Sequence, residues 1–138
     1  MKVVGFNFTK LNLEKKSDNL KDLKISTGID VLDIKEAKTD LFNSSEGLIV
    51  VKFEYIINYE TDIALLKFNG NLILSLESKE AKEVLKQWKE KNIPEEFRLG
   101  VFNIILRKSS LKALQFEEEL NLPPHIPLPS FKSPEKQK

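Results

Sequence analysis

At 138 residues the chain is long enough to bury one real core and short enough to be a single domain. Its 22 Lys and Arg against 21 Asp and Glu leave a formal charge of +1, so it lacks the electrostatic footprint of a binder of nucleic acid or of an anionic membrane. The absence of cysteine removes disulfides, thiol catalysis and thiolate metal sites together, and fits a reducing compartment. No apolar run approaches the length of a membrane span and no signal-peptide layout opens the chain, so a soluble, cytoplasmic protein is expected.

In chain order, a first strand is predicted over 3–14. Val4, Phe6 and Phe8 share one parity and Leu11 and Leu13 the other, and a β-bulge near Thr9-Lys10 would produce that switch of face. Lys16 to Gly28 reads as a polar connection, with Leu20, Leu23 and Ile25 scattered through it. Its length is more than a tight hairpin needs, so the first two strands need not be neighbours. Ile29 to Phe42, with Ile29 and Val31 on one parity and Leu32 and Ile34 on the other, is read as a second strand. Asn43 to Gly47 is a turn cluster.

The strongest signal follows. Val51, Phe53, Tyr55, Ile57 and Tyr59 recur at period two, with Lys52, Glu54 and Asn58 between them, which is the pattern of a half-buried strand. Glu60-Thr61-Asp62 is short and polar, and a second β run extends from Ile63 to Leu76. Two such runs with so short a link make an antiparallel hairpin, because a parallel return needs a long crossover. Gly70 interrupts the second run and marks a bulge or a close backbone approach.

After Leu76 the period changes to 3.6. Ser78 is a candidate cap, and Ala81, Val84, Leu85 and Trp88 define the apolar face of a helix over 78–91. Asn92-Ile-Pro-Glu-Glu starts a second helix, with Phe97, Val101, Ile104, Ile105, Leu111 and Leu114 running along it to about Leu120. Gly100 marks close packing or a frayed first turn. Glu117-Glu118-Glu119, unfavourable at the negative end of the helix dipole, predicts an exposed and weak last turn. Prolines 123, 124, 127 and 129 then force an extended, polyproline-like course, which Ile126, Leu128 and Phe131 could pin to an apolar groove. This gives one domain over 1–131 and a charged, flexible tail over 132–138.

The residues offer little chemistry. The single histidine, His125, lies in the extended piece with no partner in its local sequence, so an incidental or structural role is expected. His/Cys metal sites lack ligands, the five glycines are too scattered to cradle a phosphate, and the carboxylates read as solvated faces. Phe53, Tyr55 and Tyr59 suit core packing better than base stacking, because no basic surround accompanies them. The Pro-rich piece could serve an SH3- or WW-type module, with docking on its own domain the more economical reading. No cofactor and no enzymatic activity are expected.

The order of elements, with Phe8-Thr9-Lys10 in the first strand, the Asn-Gly interruption and Leu74-Ser75-Leu76 close of 65–76, and Leu120-Asn-Leu-Pro-Pro124, resembles the SecB protein-export chaperone family. The resemblance implies an α+β fold: a four-stranded antiparallel β-sheet with two C-terminal helices packed on it. It implies a homotetramer built as a dimer of dimers, with first strands paired at one interface and the helix of 78–91 at the other. It also implies a hydrophobic groove that holds non-native polypeptides extended without ATP. The residues expected to bind polypeptide are Leu20, Leu23 and Ile25 in the connection, with Phe97 and Val101 on the second helix. The acidic positions by which the family docks on the SecA motor match Leu11, Lys15 and Lys67 here, so SecA docking is not expected. An alternative from another class is an oligomeric adaptor of the same fold that binds one folded partner and has no chaperone activity.

Overall fold

The computed structural model describes residues 1–37 and 46–132. Six elements follow one another: β1 (Lys2–Lys15), β2 (Lys24–Ala37), β3 (Glu46–Glu60), β4 (Ala64–Glu77), α1 (Ser78–Trp88) and α2 (Glu95–Glu119). The strands form one antiparallel sheet in the order β1-β4-β3-β2, and each helix contributes part of its apolar residues to the core on one face of it. The fold is α+β, as expected. Among the described residues no helix is long and apolar enough to cross a membrane.

The β3–β4 hairpin is the centre of the sheet. Val51, Phe53, Tyr55, Ile57 and Tyr59 on β3 face the same side as Leu66, Phe68, Leu72 and Leu74 on β4, and none of them has any exposed surface. The other parity, with Lys52, Glu54, Lys67, Asn69 and Asn71, keeps contact with water. Each large side chain so buried contributes about 1.5–3 kcal/mol before entropy costs, which makes this single face the main stabilising term. Aromatic rings tie the outer strand to it: Phe6 stacks on Phe53 at 5.2 Å, and Phe8 meets Phe68 edge-on at 5.7 Å.

β1 pairs with β4 and not with β2, so the long connection between the first two strands does join non-neighbours. Its register slips between Phe8 and Lys10, opposite Gly70 and Asn69, which is the bulge expected at Thr9. β2 begins at Lys24, five residues before the expected start at Ile29, and residues 38–42 of the expected strand lie outside the described residues. Ser26-Thr-Gly28 reads as a loop in isolation. Its backbone is instead paired with Asn58, Ile57 and Ile56 of a strand long enough to template it, and Ile25 therefore belongs to β2 and not to the connection.

α1 starts one residue earlier than a Ser78 cap requires: the N-cap position falls on Glu77. Ala81 and Val84 are buried, and the Trp88 indole N–H donates to Asp33 Oδ1 at 3.2 Å, tying the end of the helix to β2. In α2 the buried residues Phe97, Val101, Ile105, Ser109, Ala113 and Glu117 form one i, i+4 row. Successive members of such a row advance by about 40° around the helix, so the buried stripe winds from one side of α2 to the other. This corrects two expectations. Leu111 lies two residues from both Ser109 and Ala113, about 200° round the helix, and is exposed. Glu117 continues the buried row and is only 1 % exposed, while Glu118 and Glu119 are exposed as expected.

Gly70 is the close approach and not the bulge itself. A Cβ there would lie 2.5 Å from the Asn7 carbonyl oxygen and 2.7 Å from the Phe53 ring. At Gly100 a Cβ would meet only the flexible end of the Met1 side chain. Gly70→Ala is therefore expected to destabilise the protein by about 1–3 kcal/mol, and Gly100→Ala to stabilise it by up to about 1 kcal/mol, as measured by denaturant midpoints.

Candidate polypeptide-binding surface

The five residues expected to bind polypeptide do not converge. Leu20 is exposed in the β1–β2 connection, and Leu23 and Ile25 are half-buried beside the core, with Ile25 opposite Tyr59 in the sheet. Phe97, 8 % exposed, lines a cleft of about 390 Å³ with Leu76 and Val84, near the other end of the sheet where Leu76 pairs with Gly47. The β3 backbone from Gly47 to Tyr59 separates the two groups by about 40 Å. Val101 is 1 % exposed, packed in the core row of α2, and presents no surface to a ligand in this conformation.

At the Tyr59 end the structure builds a polar cluster that local sequence did not suggest. Residues Leu122 to His125 turn back over β3, with Leu122 buried. The Tyr59 hydroxyl faces the Glu117 carboxylate and lies 2.7 Å from the Pro123 carbonyl. The His125 backbone N–H donates to Glu117 Oε2 at 3.1 Å, and its ring Nδ1 lies 2.9 Å from Oε1. Ring Nε2 is 3.1 Å from the Tyr55 hydroxyl, which in turn is 3.2 Å from Ser110 Oγ. The side chains of His125 and Glu117 are 2 % and 1 % exposed. A carboxylate only accepts, so Nδ1 carries the proton that faces it.

His125 has no partner in its local sequence, and its partners come instead from α2 and β3, far away in sequence. The expectation that Ile126, Leu128 and Phe131 pin the Pro-rich piece is corrected: all three are exposed, and Leu122 and His125 hold it instead. Both imidazole nitrogens are engaged within the cluster, which makes it a latch for the chain after α2. Lys15 adds to this end by donating from Nζ to the Leu120 carbonyl at 2.8 Å, where a helix leaves carbonyls unpaired. Two signals for the cluster were present in sequence. Tyr55 and Tyr59 lie on the buried parity of β3, and a buried phenol needs a hydrogen-bond partner. Glu117 falls on the same i+4 row as Phe97.

Burial raises the pKa of both tyrosines above the ordinary phenol value. For Tyr59 the hydrogen bond and the charge of Glu117 raise it further, and for Tyr55 the hydrogen bond with Ser110 partly offsets the rise.

No known protein-family profile matches this chain, and no curated protein sequence does. Among solved structures it superimposes on the Mycobacterium tuberculosis SecB-like chaperone Rv1957, solved in complex with a ChAD peptide from the Rv1956 HigA1 antitoxin. The match has a TM-score of 0.58 and covers 94 % of this chain and 89 % of that one at 12 % identity. The fold is that of a SecB-like chaperone. The sheet and helices expected from the SecB resemblance are therefore present, in a sequence with little identity to that neighbour.

Two outcomes test the latch. The two tyrosines are the only ones in the chain, and both are protonated in the fold. The unfolded chain ionises them near pH 10 while the folded state resists, so stability is full below that pH and declines above it. Tyrosinate absorbance at 295 nm should then appear together with loss of Trp88 fluorescence in one alkaline unfolding step, whereas ionisation of a still-folded protein would contradict the burial argument. His125→Ala should cost about 1–3 kcal/mol by removing one of the three donors to the buried Glu117 carboxylate and the ring that fills the space beside it. The double substitution His125→Leu with Glu117→Leu should cost less in the same denaturant assay, because no charge is then stranded.

Proposed function

We propose that this protein is an ATP-independent holdase that binds unfolded or extended polypeptides through apolar contacts. The observation that carries the reading is the SecB-like fold, shared with a neighbour solved with a peptide bound. The exposed Leu20, with Leu23 and Ile25 partly covered beside it, supplies apolar surface at one end of the sheet, and the Phe97 cleft supplies it at the other. A separation of about 40 Å suits an extended chain of about twelve residues better than a folded ligand. Val101 would join such a site only if α2 shifted. The assembly proposed with this reading is a dimer of dimers in which β1 edges pair and α1 packs at the second interface. Open strand edges favour such pairing.

Docking on SecA is not part of the proposal. Lys15 is engaged with Leu120 and with Asp18, Lys67 lies 3.6 Å from Glu54, and Leu11 is an exposed apolar group. None of these offers the negative charge that the resemblance assigns to SecA contact.

The test is light scattering from a chemically denatured client diluted into buffer with a stoichiometric amount of this protein. Suppressed aggregation is expected, and Leu20→Asp should weaken client binding roughly tenfold, the worth of one exposed leucine, with an unchanged melting temperature. An aggregation rate identical with and without the protein sinks the reading. A saturable 1:1 complex with one folded partner, and no affinity for unfolded chains, favours the adaptor instead.

A further inference from the structure

The chain after α2 has two halves with different fates. Residues 122–125 are latched by the Tyr55, Tyr59 and Glu117 cluster, whereas Ile126 and Leu128 stay about half exposed, Leu128 in a shallow cleft with Leu114 and Leu122, and Phe131 is fully exposed. The second half is nonetheless stiff. Pro127 and Pro129 fix their own backbone angles, so this apolar segment is held close to extended and loses little freedom when it docks. From Ile126 to Lys132 it carries no acidic residue and one cation, Lys132.

At the far end of α2 lies a surface of matching character. The cleft between α1 and α2 has an apolar floor that includes Leu76, Val84 and Phe97, and a rim of Glu80, Glu83 and Glu96. None of the ion pairs among the described residues engages those three glutamates. A large apolar side chain followed by a cation is the complement of an apolar floor with an acidic rim.

The segment cannot reach the cleft of its own chain. His125 is bonded at Glu117, and Phe97 lies twenty residues away on the same helix, about 30 Å at 1.5 Å per residue. Phe131 is six residues beyond His125, about 19 Å at the 3.1 Å per residue of an extended polyproline course. With the latch closed, the occupant must come from another molecule.

We infer that Ile126–Lys132 of one copy docks into the α1–α2 cleft of a second copy, Phe131 covering the apolar floor and Lys132 meeting the glutamate rim. A reciprocal exchange closes a two-fold pair, the form that homo-oligomers favour over open chains. This surface is separate from the β1 edge but is the same Phe97 cleft that is proposed for clients, so the tail and a client compete for it, and the inference itself does not depend on chaperone activity.

The natural absence of cysteine makes the test clean. Full-length Phe131→Cys is mixed with full-length Glu83→Cys and oxidised mildly, with Leu111→Cys replacing Phe131→Cys as the exposed reference. A mixed dimer at least fivefold above the Leu111→Cys reference is expected. It should be lost when Glu80→Lys and Glu96→Lys are added to the cleft partner, and recovered when Lys132→Glu is added to the tail partner. A yield equal to the reference overturns the inference. So does a chain carrying both Phe131→Cys and Glu83→Cys that closes within itself even in a large excess of cysteine-free protein.

Discussion

One apolar face of the β3–β4 hairpin sets the terms for every other element. A two-stranded ribbon cannot keep Phe53, Tyr55, Tyr59, Phe68 and their neighbours dry by itself, and the chain before and after it supplies the missing cover. β1 and β2 extend the sheet on either side, so the hairpin loses both of its open edges. α1 and α2 then close the face. The cost is that β1 and β2 become the new edges, each with one unpaired row of backbone groups, which is the physical basis for expecting this chain to associate.

The same face creates the polar cluster. Tyrosine at positions 55 and 59 brings large apolar rings into the core but also hydroxyls that burial would strand. Ser110, Glu117, His125 and the Pro123 carbonyl answer them. A buried carboxylate surrounded by three donors fixes where the chain leaves α2, and it does so with directional bonds where a hydrophobic contact would allow sliding. Without that fixed point the proline-containing segment would have no defined direction. With it, the segment projects from one end of the molecule.

The two ends of the molecule therefore differ in character. The Tyr59 end carries the latch, the Lys15 contact to the end of α2, and the partly apolar connection of Leu20 and Leu23. The α1 end carries the acidic-rimmed cleft. An elongated sheet with distinct binding character at each end is suited to extended ligands, whether a client polypeptide or a segment of a second copy.

Much of this was legible in the chain itself. The alternation from Val51 to Tyr59, the bulge at Thr9, the change from period two to period 3.6 after Leu76 and the prolines after Leu122 are local patterns, and local sterics and burial decide them. The start of β2 at Lys24, the exposure of Leu111 and the burial of Glu117 were not legible from short windows, because a long paired strand and a stripe that winds around α2 determine them. The spread of the candidate polypeptide-binding residues was not legible either. Leu20, Leu23 and Ile25 lie at one end of the sheet and Phe97 at the other, and Val101 is enclosed. The sequence by itself determined which residues must be covered and the order of elements that cover them. Only the tertiary structure decided which groups meet, because the bonds joining His125, Glu117 and Tyr55 depend on where three separate elements cross.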